Sequence, residues 1–212
     1  MNQTQNAVRN QPIQSGRQAG QRLAIVAAAE ETPEEIPFAD NYEYLAALEK
    51  EALLMLVLSA VRSGKTEGLE NDGEGIRLCA GLDLTPQNIT WEHIEAELAR
   101  VRNINRSRHN KTLRSGHKLF FPLFCRENQL DDFDEKILLL LFMHATSKTF
   151  RNAFCPCGLN DDAGGIIIRV MLFILCKDYM EQLEKKRHFS RGAPLVAREI
   201  IFFKSDDECR SS

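Results

Sequence analysis

The chain has 212 residues, of which 43% are hydrophobic and 27% are charged, and its formal net charge is -3. These values are typical of a globular protein with one ordinary domain or two small ones, and they exclude a chain that is disordered throughout. The small negative charge excludes a general attraction to nucleic acid or to an anionic membrane, but a local basic patch can still bind either.

The sequence also predicts no membrane span, no secretion signal and no disulfide framework. The longest apolar runs cover residues 52–61 and 166–176, whereas a helix that crosses a bilayer needs about 20 residues. Residues 1–22 are rich in Gln, Asn and Arg and lack the apolar stretch of a signal peptide. Six cysteines are too sparse for a disulfide scaffold in a chain of this length. We therefore expect reduced thiols and a cytoplasmic protein.

A leader and then a long helix are predicted at the start of the chain. Residues 1–37 combine a Gln/Asn/Arg-rich tail with an acidic stretch at 30–35 and have little to bury, which indicates a flexible leader. Asp40 and Glu43 form an acidic variant of the capping box, so a helix is expected from there to about Arg62. Its second half is apolar on nearly every side and should be buried.

Glycines and charges predominate from residue 64 to residue 86, and this composition predicts a loop with a short strand at 76–79. Thr90 then has the position of an N-cap, followed by one apolar stripe at helical spacing. We expect this amphipathic helix to end near Arg106.

The second half of the chain alternates short apolar runs with turns. Residues 119–124 fit either a strand or a helical turn. Acids at 131–135 lie over the start of a predicted helix through residue 143, which is apolar on every side and is expected to be the central core helix. Residues 163–186 predict a long helix, although 166–168 alone also suit a strand.

The end of the chain completes the predicted architecture. Residues 193–197 indicate a short helical turn, and 199–204 indicate a strand. Helices followed by a strand after a proline-containing turn are typical of a winged helix, in which three helices carry a small terminal hairpin. We therefore predict a mainly α, winged-helix-like fold with short β-strands. Two tandem units are expected at 38–128 and 129–205, with a polar tail at 206–212.

Two motifs resemble functional sites but have the wrong spacing. Residues 63–66 read Ser-Gly-Lys-Thr, like the end of a P-loop, but Ser59 stands where a P-loop has glycine and the motif follows a predicted helix. We interpret it as a helix C-terminus. Cys155 and Cys157 flank Pro156 as one tight pair, whereas a structural zinc site usually has two such pairs. We therefore predict no metal and no cofactor.

The histidines add no recognisable catalytic pattern. None of the five has an obvious Ser, Cys or Asp partner at a recognisable spacing. His144 falls in a strongly apolar helix and is predicted to be a hydrogen-bonded core residue. The sequence therefore predicts no catalytic residue.

The strongest local charge signal is a basic segment from residue 100 to residue 118 that contains no carboxylate. Its seven cations, which we call the basic series, are Arg100, Arg102, Arg106, Arg108, Lys111, Arg114 and Lys118. Such a cluster can neutralise nucleic-acid phosphates, and binding then falls steeply with salt. We favour the alternative, a solvated face or a patch that binds an acidic partner. The stacking aromatics of single-strand binders are absent from 100–118.

Three segments carry a family resemblance, in the same order along the chain. They are residues 38–45, 130–139 and 189–196. Together they resemble the N-terminal, winged-helix-bearing region of AAA-type ATPases, particularly those encoded with contractile injection systems, the phage-tail-like particles. The likeness covers roughly residues 38–204, and the glycine-rich stretch at 64–81 and the Cys-Pro-Cys loop depart from the family pattern.

The resemblance implies a helical region that precedes an ATPase domain and engages partners. This chain has no P-loop and no acidic strand of the Walker B type, so no catalytic residue is carried over to it. We therefore predict a non-catalytic docking module that binds proteins, such as an ATPase ring or an injection-particle component. The alternative is a winged-helix nucleic-acid-binding protein that uses the basic series, and an enzyme of unrecognised type is a third hypothesis.

Overall fold

The structure is a computed structural model and describes residues 36–85, 89–159 and 168–202. The first helix of the described residues, α1, is long (Asn41–Arg62). The Asp40 carboxylate accepts the Glu43 N–H at 2.8 Å and so caps α1, as the capping box predicts. Glu43 in turn accepts the N–H of Ala39 at 2.7 Å, which fixes the chain as it enters the helix.

The remaining described residues are also mainly helical. The helices are α2 (Glu67–Asn71), α3 (Gly73–Gly81), α4 (Trp91–Arg114), α5 (Phe120–Glu127), α6 (Asp132–Thr146), α7 (Lys148–Asn152), α8 (Ile168–Leu175), α9 (Tyr179–Lys185) and α10 (Pro194–Ala197), with a 3-10 turn at Lys186–Phe189. No strand occurs among residues 36–85, 89–159 and 168–202. The mainly α class is therefore confirmed, whereas the predicted short β-strands are wrong.

Helix α1 is the central helix of the core. Every residue from 52 to 60 is buried, because α1 packs against α4, α6, α7 and α8. Helix α6 was expected in this position, but its residues Leu138, Leu141 and Phe142 are only partly buried. That expectation is wrong, because α1 and not α6 has neighbours on all sides.

The glycine-rich segment after α1 folds into α2 and α3 instead of a loop with a strand. A Cβ built at Gly75 would lie 2.0 Å from the Gly68 carbonyl oxygen, so the two helices pack at backbone distance. Leu69 and Leu78 are buried beneath this crossing. Glycine serves here for close packing and not for a turn, which is why composition predicted the wrong structure at 76–79.

Helix α4 begins as predicted but is longer than expected. The Thr90 hydroxyl accepts the His93 N–H at 3.3 Å and caps the helix. The helix continues two turns past Arg106, because buried polar side chains extend its inner face. Asn105 donates to the Ala47 carbonyl of α1, and Thr112 is fully buried. The spacing of apolar residues cannot predict this part of α4, because its buried face is polar and hydrogen-bonded.

The predicted long helix at 163–186 is broken into two. Helix α8 ends at Leu175, and Asp178 caps the new helix α9 by accepting the Glu181 N–H at 2.9 Å. The first part of the prediction, 163–167, lies outside the described residues. The ambiguous run at 119–124 is helical and belongs to α5.

The strand predicted at 199–204 is a turn in residues 199–202, the part that the structure describes. The N–H groups of Ile200 and Ile201 both donate to the Leu195 carbonyl, at 2.9 and 3.1 Å, and Glu199 adopts a left-handed φ of 58°. Residues that hydrogen-bond back to their own helix cannot pair with a neighbouring strand. Residues 203 and 204 lie outside the described residues. The helical turn predicted just before is confirmed as α10.

The predicted division into units remains to be tested. The described residues all fall in one compact unit, Glu31–Ser212. Helix α1 packs against α4 before the predicted boundary at 127–130 and against α6, α7 and α8 after it. Most of the leader at 1–37 and the whole tail at 206–212 lie outside the described residues. The units at 38–128 and 129–205 stay a prediction. Among the helices described, none combines the length and apolar character that a bilayer span requires.

Candidate functional site

The structure places the first six members of the basic series on α4 and the seventh, Lys118, in the link to α5. Carboxylates from outside the segment neutralise several of them. Arg102 Nε donates to Glu51 of α1 at 2.7 Å, and Arg100 binds both carboxylate oxygens of Glu97 at 2.7 Å. The basic series is therefore not a continuous positive face, although the sequence from 100 to 118 contains no acid.

Arg108 anchors the chain as it enters α1. Its guanidinium donates to the Ile36 carbonyl at 2.9 Å, forms an ion pair with Glu43, and lies 4.1 Å from the centre of the Phe38 ring. The Ala39 N–H and then Arg108 bind the charged form of Glu43, and these bonds hold the pKa of that carboxyl below its usual range. Arg108 therefore has a structural role.

Four cations of the basic series are exposed, and one of them, Arg100, is bound to Glu97. The other three, Arg106, Arg114 and Lys118, join no ion pair with another residue in the described ranges. Lys111 lies half-buried on α4. A phosphate or a carboxylate of a partner can reach Arg106, Arg114 and Lys118 without breaking a salt bridge.

Exposed aromatic residues lie next to Lys118. The Asn41 side chain donates to the Lys118 carbonyl at 3.3 Å and accepts the Phe120 N–H at 2.7 Å, which ties the start of α1 to this link. Phe120 is 68% exposed and Tyr42, which follows Asn41, is 83% exposed. The sequence pattern did not reveal these aromatics as neighbours of the basic series, because they lie outside residues 100–118.

A groove runs beside α4, with α5, α6, α8 and α9 as the opposite wall and α1 as the floor. It consists of two cavities of about 370 and 390 Å³, and both are lined by Arg102, Arg106 and Lys136. The shared residues make the two cavities one continuous feature, which we call the α4 groove. The apolar side chains at its base, Leu48, Met55, Leu58, Leu139 and Ile174, are at most 7% exposed. Those of Phe121, Pro122 and Leu175 also line the groove and are partly exposed.

Charges line the rim of the α4 groove unevenly. Lys136 of α6, like Arg106, joins no ion pair with a described residue. Asp132 and Glu135 line only the cavity at the α5 end. Burial and then the neighbouring carboxylate of Asp132 raise the pKa of Glu135. The middle of the groove is therefore positive, and the α5 end is acidic.

A second cluster joins His188 of the 3-10 turn to the start of α6. His188 Nδ1 lies 2.9 Å from Asp134 Oδ1 and 3.8 Å from Asp131 Oδ1. Asp131 also caps α6 by accepting the N–H groups of Phe133 and Asp134, both at 2.9 Å. Sequence spacing does not reveal the pair of His188 and Asp134, since 54 residues separate its members.

The atoms of this cluster are of types that bind metals. One ligand atom each from Asp131, Asp134 and His188 lies within 4.8 Å of the others, and nitrogen and carboxylate oxygen are common ligands of divalent transition metals. The 2.9 Å contact is also the ordinary hydrogen bond of an imidazole and a carboxylate. We interpret the cluster as a structural bond between the 3-10 turn and α6.

The other two sequence motifs have structural explanations. Gly64 has a φ of 71°, and the Lys65 N–H donates to the Ala60 carbonyl at 2.8 Å, which confirms the helix C-terminus read at 63–66. Burial, and then the nearby Cys79, raises the pKa of Cys157 to about 12. A thiol that keeps its proton is a poor nucleophile and a poor metal ligand.

His144 is less buried than predicted. His144 is half-buried on α6, and its ring packs edge-on against Phe154 with 5.4 Å between ring centres. The buried histidine is His188, which is 6% exposed.

Residues 27–212 match the family model described as winged helix domain, variant. The chain belongs to this winged helix family. No curated protein and no solved structure matches it. The match covers most of the chain and confirms the winged-helix part of the fold prediction. The terminal hairpin of a winged helix is not found in the described part of this winged helix domain.

Membership of the winged helix family narrows the classes of function. Winged helix domains generally bind proteins or nucleic acids and are generally non-catalytic, which agrees with the prediction of a non-enzymatic binding module. The family description names neither AAA-type ATPases nor contractile injection systems.

Proposed function

We propose that this winged helix domain is a non-catalytic docking module that binds protein partners in the cytoplasm. The α4 groove carries this proposal, because it is a long depression lined both by charged side chains and by partly exposed apolar ones. Protein-protein interfaces combine apolar and polar surface in this way. The proposed partner is an AAA-type ATPase ring or another component of a contractile injection system, on the strength of the resemblance in residues 38–45, 130–139 and 189–196.

The ion pairs that occupy several cations of the basic series also favour a protein partner. Arg102 and Arg108 are bound to the carboxylates of Glu51 and Glu43, and Arg100 is bound to Glu97. A phosphate would have to compete with each of these carboxylates. Protein recognition needs only local complementarity, whereas nucleic-acid affinity depends on the number of phosphates that are neutralised.

Nucleic-acid binding is the second candidate, and one observation favours it. Lys118 is exposed beside the exposed aromatics Phe120 and Tyr42, and Arg114 is exposed at the end of α4. Cations next to stacking platforms are typical of single-strand binders. If this candidate is right, the nucleic acid binds around Lys118 and not along the whole basic series.

Electrophoretic mobility shift separates the two candidates. The full chain is titrated into duplex DNA and into single-stranded RNA at about 50 mM and about 200 mM salt. The docking proposal expects no shift at either salt concentration. A shift at low salt that disappears in the charge-reversal variant R114E/K118E would support nucleic-acid binding and overturn the preference for a protein partner.

Co-expression tests the proposed partner. The full chain is co-expressed with an AAA-type ATPase encoded in the same gene cluster, and the mixture is analysed by size exclusion with light scattering. We expect one complex whose mass is the sum of both components. Separate elution, or a gene cluster without such an ATPase, would contradict the assignment to this partner.

A further inference from the structure

We propose that the α4 groove receives an amphipathic helix of the partner, with an acidic side chain placed between Arg106 and Lys136. This inference rests on the docking function proposed above and names the kind of segment that docks. Three features of the described residues support it: the length of the groove, the partly exposed apolar side chains along it and its distribution of charge.

The groove has the length of a short helix. Its lining residues on α4 extend from Glu95 to His109. At a rise of 1.5 Å per residue this stretch spans about 21 Å, or roughly four turns. A partner helix of about 14 residues that lies along α4 would fill it.

Partly exposed apolar side chains along the groove offer contacts to the apolar face of a helix. Phe121 and Pro122 of α5 line the first cavity, and Leu175 of α8 lines the second. Apolar anchors that recur every three to four residues on one face of a helix occupy successive positions along such a groove. A nucleic-acid backbone has no comparable apolar face, so these side chains favour a helix over a phosphate chain.

Two cations mark the middle of the groove. Arg106 on α4 and Lys136 on α6 line both cavities, and neither joins an ion pair with a described residue. Arg102 also lines both cavities, but Glu51 already binds it at 2.7 Å. A glutamate or aspartate of the partner can therefore pair with two unpaired cations from opposite walls. Docking removes water from this position and strengthens the attraction.

The charges also give the bound helix a direction. Asp132 and Glu135 line only the cavity at the α5 end, whereas the acids of the other cavity, Glu95 and Glu181, share it with Arg62 and Lys177. A lysine or arginine of the partner at that end would relieve the crowding of these carboxylates. The partner helix should therefore carry its acidic residue near the middle and a basic residue toward the end that lies against α5.

Peptide selection tests this inference without knowledge of the natural partner. A displayed library of helical peptides of about 16 residues is selected on the immobilised full chain. Selected peptides are then labelled, and their affinities are measured by fluorescence anisotropy. We expect apolar residues at helical spacing around a central Glu or Asp. The variant R106E/K136E should bind these peptides at least about tenfold more weakly.

Charge reversal in the peptide gives the sharper result. A peptide whose central Glu or Asp is replaced by Lys should lose affinity for the natural sequence and regain it with R106E/K136E. The variant R114E/K118E makes the same change of charge away from the groove and should bind like the natural sequence. As a control, circular dichroism and thermal unfolding are used to check that both variants are folded.

The inference is overturned if no peptide is enriched on the chain, or if enriched peptides bind R106E/K136E as tightly as the natural sequence. Its failure can be told apart from failure of the proposed function. If an ATPase partner co-elutes equally with the natural sequence and with R106E/K136E, docking stands and the groove is not the site. If selected peptides bind in the groove while no ATPase co-elutes, the groove stands and the proposed partner is wrong.

Discussion

His188 Nδ1 lies 2.9 Å from Asp134 Oδ1, and this buried pair joins the 3-10 turn to the first turn of α6. Asp134 is 1% exposed and the His188 ring packs 4.8 Å from the ring of Phe133. His188 Nε2 is buried and has no hydrogen-bond partner in the described ranges. Both polar side chains are therefore buried in the core, and the hydrogen bond between them compensates for the hydrogen bonds to water that each loses on folding.

Replacement of Asp134 should be strongly destabilising. Asp134→Ala leaves His188 buried without its partner, and we expect the free energy of unfolding to fall by about 3 kcal/mol. Urea denaturation followed by circular dichroism measures the change. His188→Ala should cost a similar amount, and the double variant should cost less than the sum of the two. Additive losses would show that the pair is not coupled. Asp132→Ala, at an exposed position, is the control.

The buried hydroxyl of Thr112 makes two hydrogen bonds, and we expect these bonds to stabilise the fold. It is fully buried, its Oγ1 accepts the Phe38 N–H at 2.8 Å, and it donates to the Arg108 carbonyl at 2.8 Å. Thr112→Val keeps the volume but leaves the Phe38 N–H unsatisfied, so we expect a loss of about 1–3 kcal/mol in the free energy of unfolding. Thr146→Val is the matched control, because the Thr146 hydroxyl is exposed and bonds only within its own helix among the described residues.

The contrast between Thr112 and Asp40 shows what sequence can predict here. The cap at Asp40 was predictable because its partner, Glu43, is three residues away and the signal is local. Phe38 and Thr112 are 74 residues apart, so no local pattern could place the end of α4. The mainly α class came from local caps and periodicity, which do not depend on tertiary packing. The winged-helix prediction came from the order of helices and a terminal strand and from the family resemblance; the family match confirms it, although the described part of that strand is a turn.

The candidate site shows the same limit. The cations of the basic series could be read from the sequence, but the carboxylates that neutralise Arg102 and Arg108 come from α1, more than 50 residues earlier. The α4 groove was not predictable, because it arises only where residues of six helices meet. Composition was misleading at Gly68 and Gly75, since glycine serves both in loops and where helices pack closely.

Close packing at Gly68 gives a further prediction. A Cβ at this position would lie 2.4 Å from the backbone oxygen of Pro156, which cannot move as a side chain can. Gly68→Ala should therefore lower the melting temperature, with a loss of about 1–3 kcal/mol. Gly81→Ala is the control, because a Cβ there meets nothing within 4 Å and alanine is the better helix former. Equal melting temperatures for the two variants would contradict the close approach of α2 to the Cys-Pro-Cys loop.

The ion pair of Glu43 and Arg108 should make part of the stability depend on pH. The Ala39 N–H and Arg108 bind the charged carboxylate, so the pKa of Glu43 is lower in the folded chain than its ordinary value of 4.5. A carboxyl with a lowered folded pKa stabilises the protein above its unfolded pKa, and this contribution is lost as the pH falls through the folded pKa. Glu43→Gln should therefore cost about 1 kcal/mol at pH 7, since the Glu43 side chain is 42% exposed and screened by solvent.

This cost of Glu43→Gln should shrink as the pH falls below about 4.5, because protonation then removes the same charge from the natural sequence. Urea denaturation at a series of pH values down to about pH 3 measures it. Glu92→Gln, at an exposed position on α4, shows how much of the pH dependence comes from the loss of any surface carboxylate. A cost that stays constant across the series would mean that Glu43 does not hold Arg108 through its charge, and the anchor at the start of α1 would then depend on the carbonyl of Ile36 and the ring of Phe38.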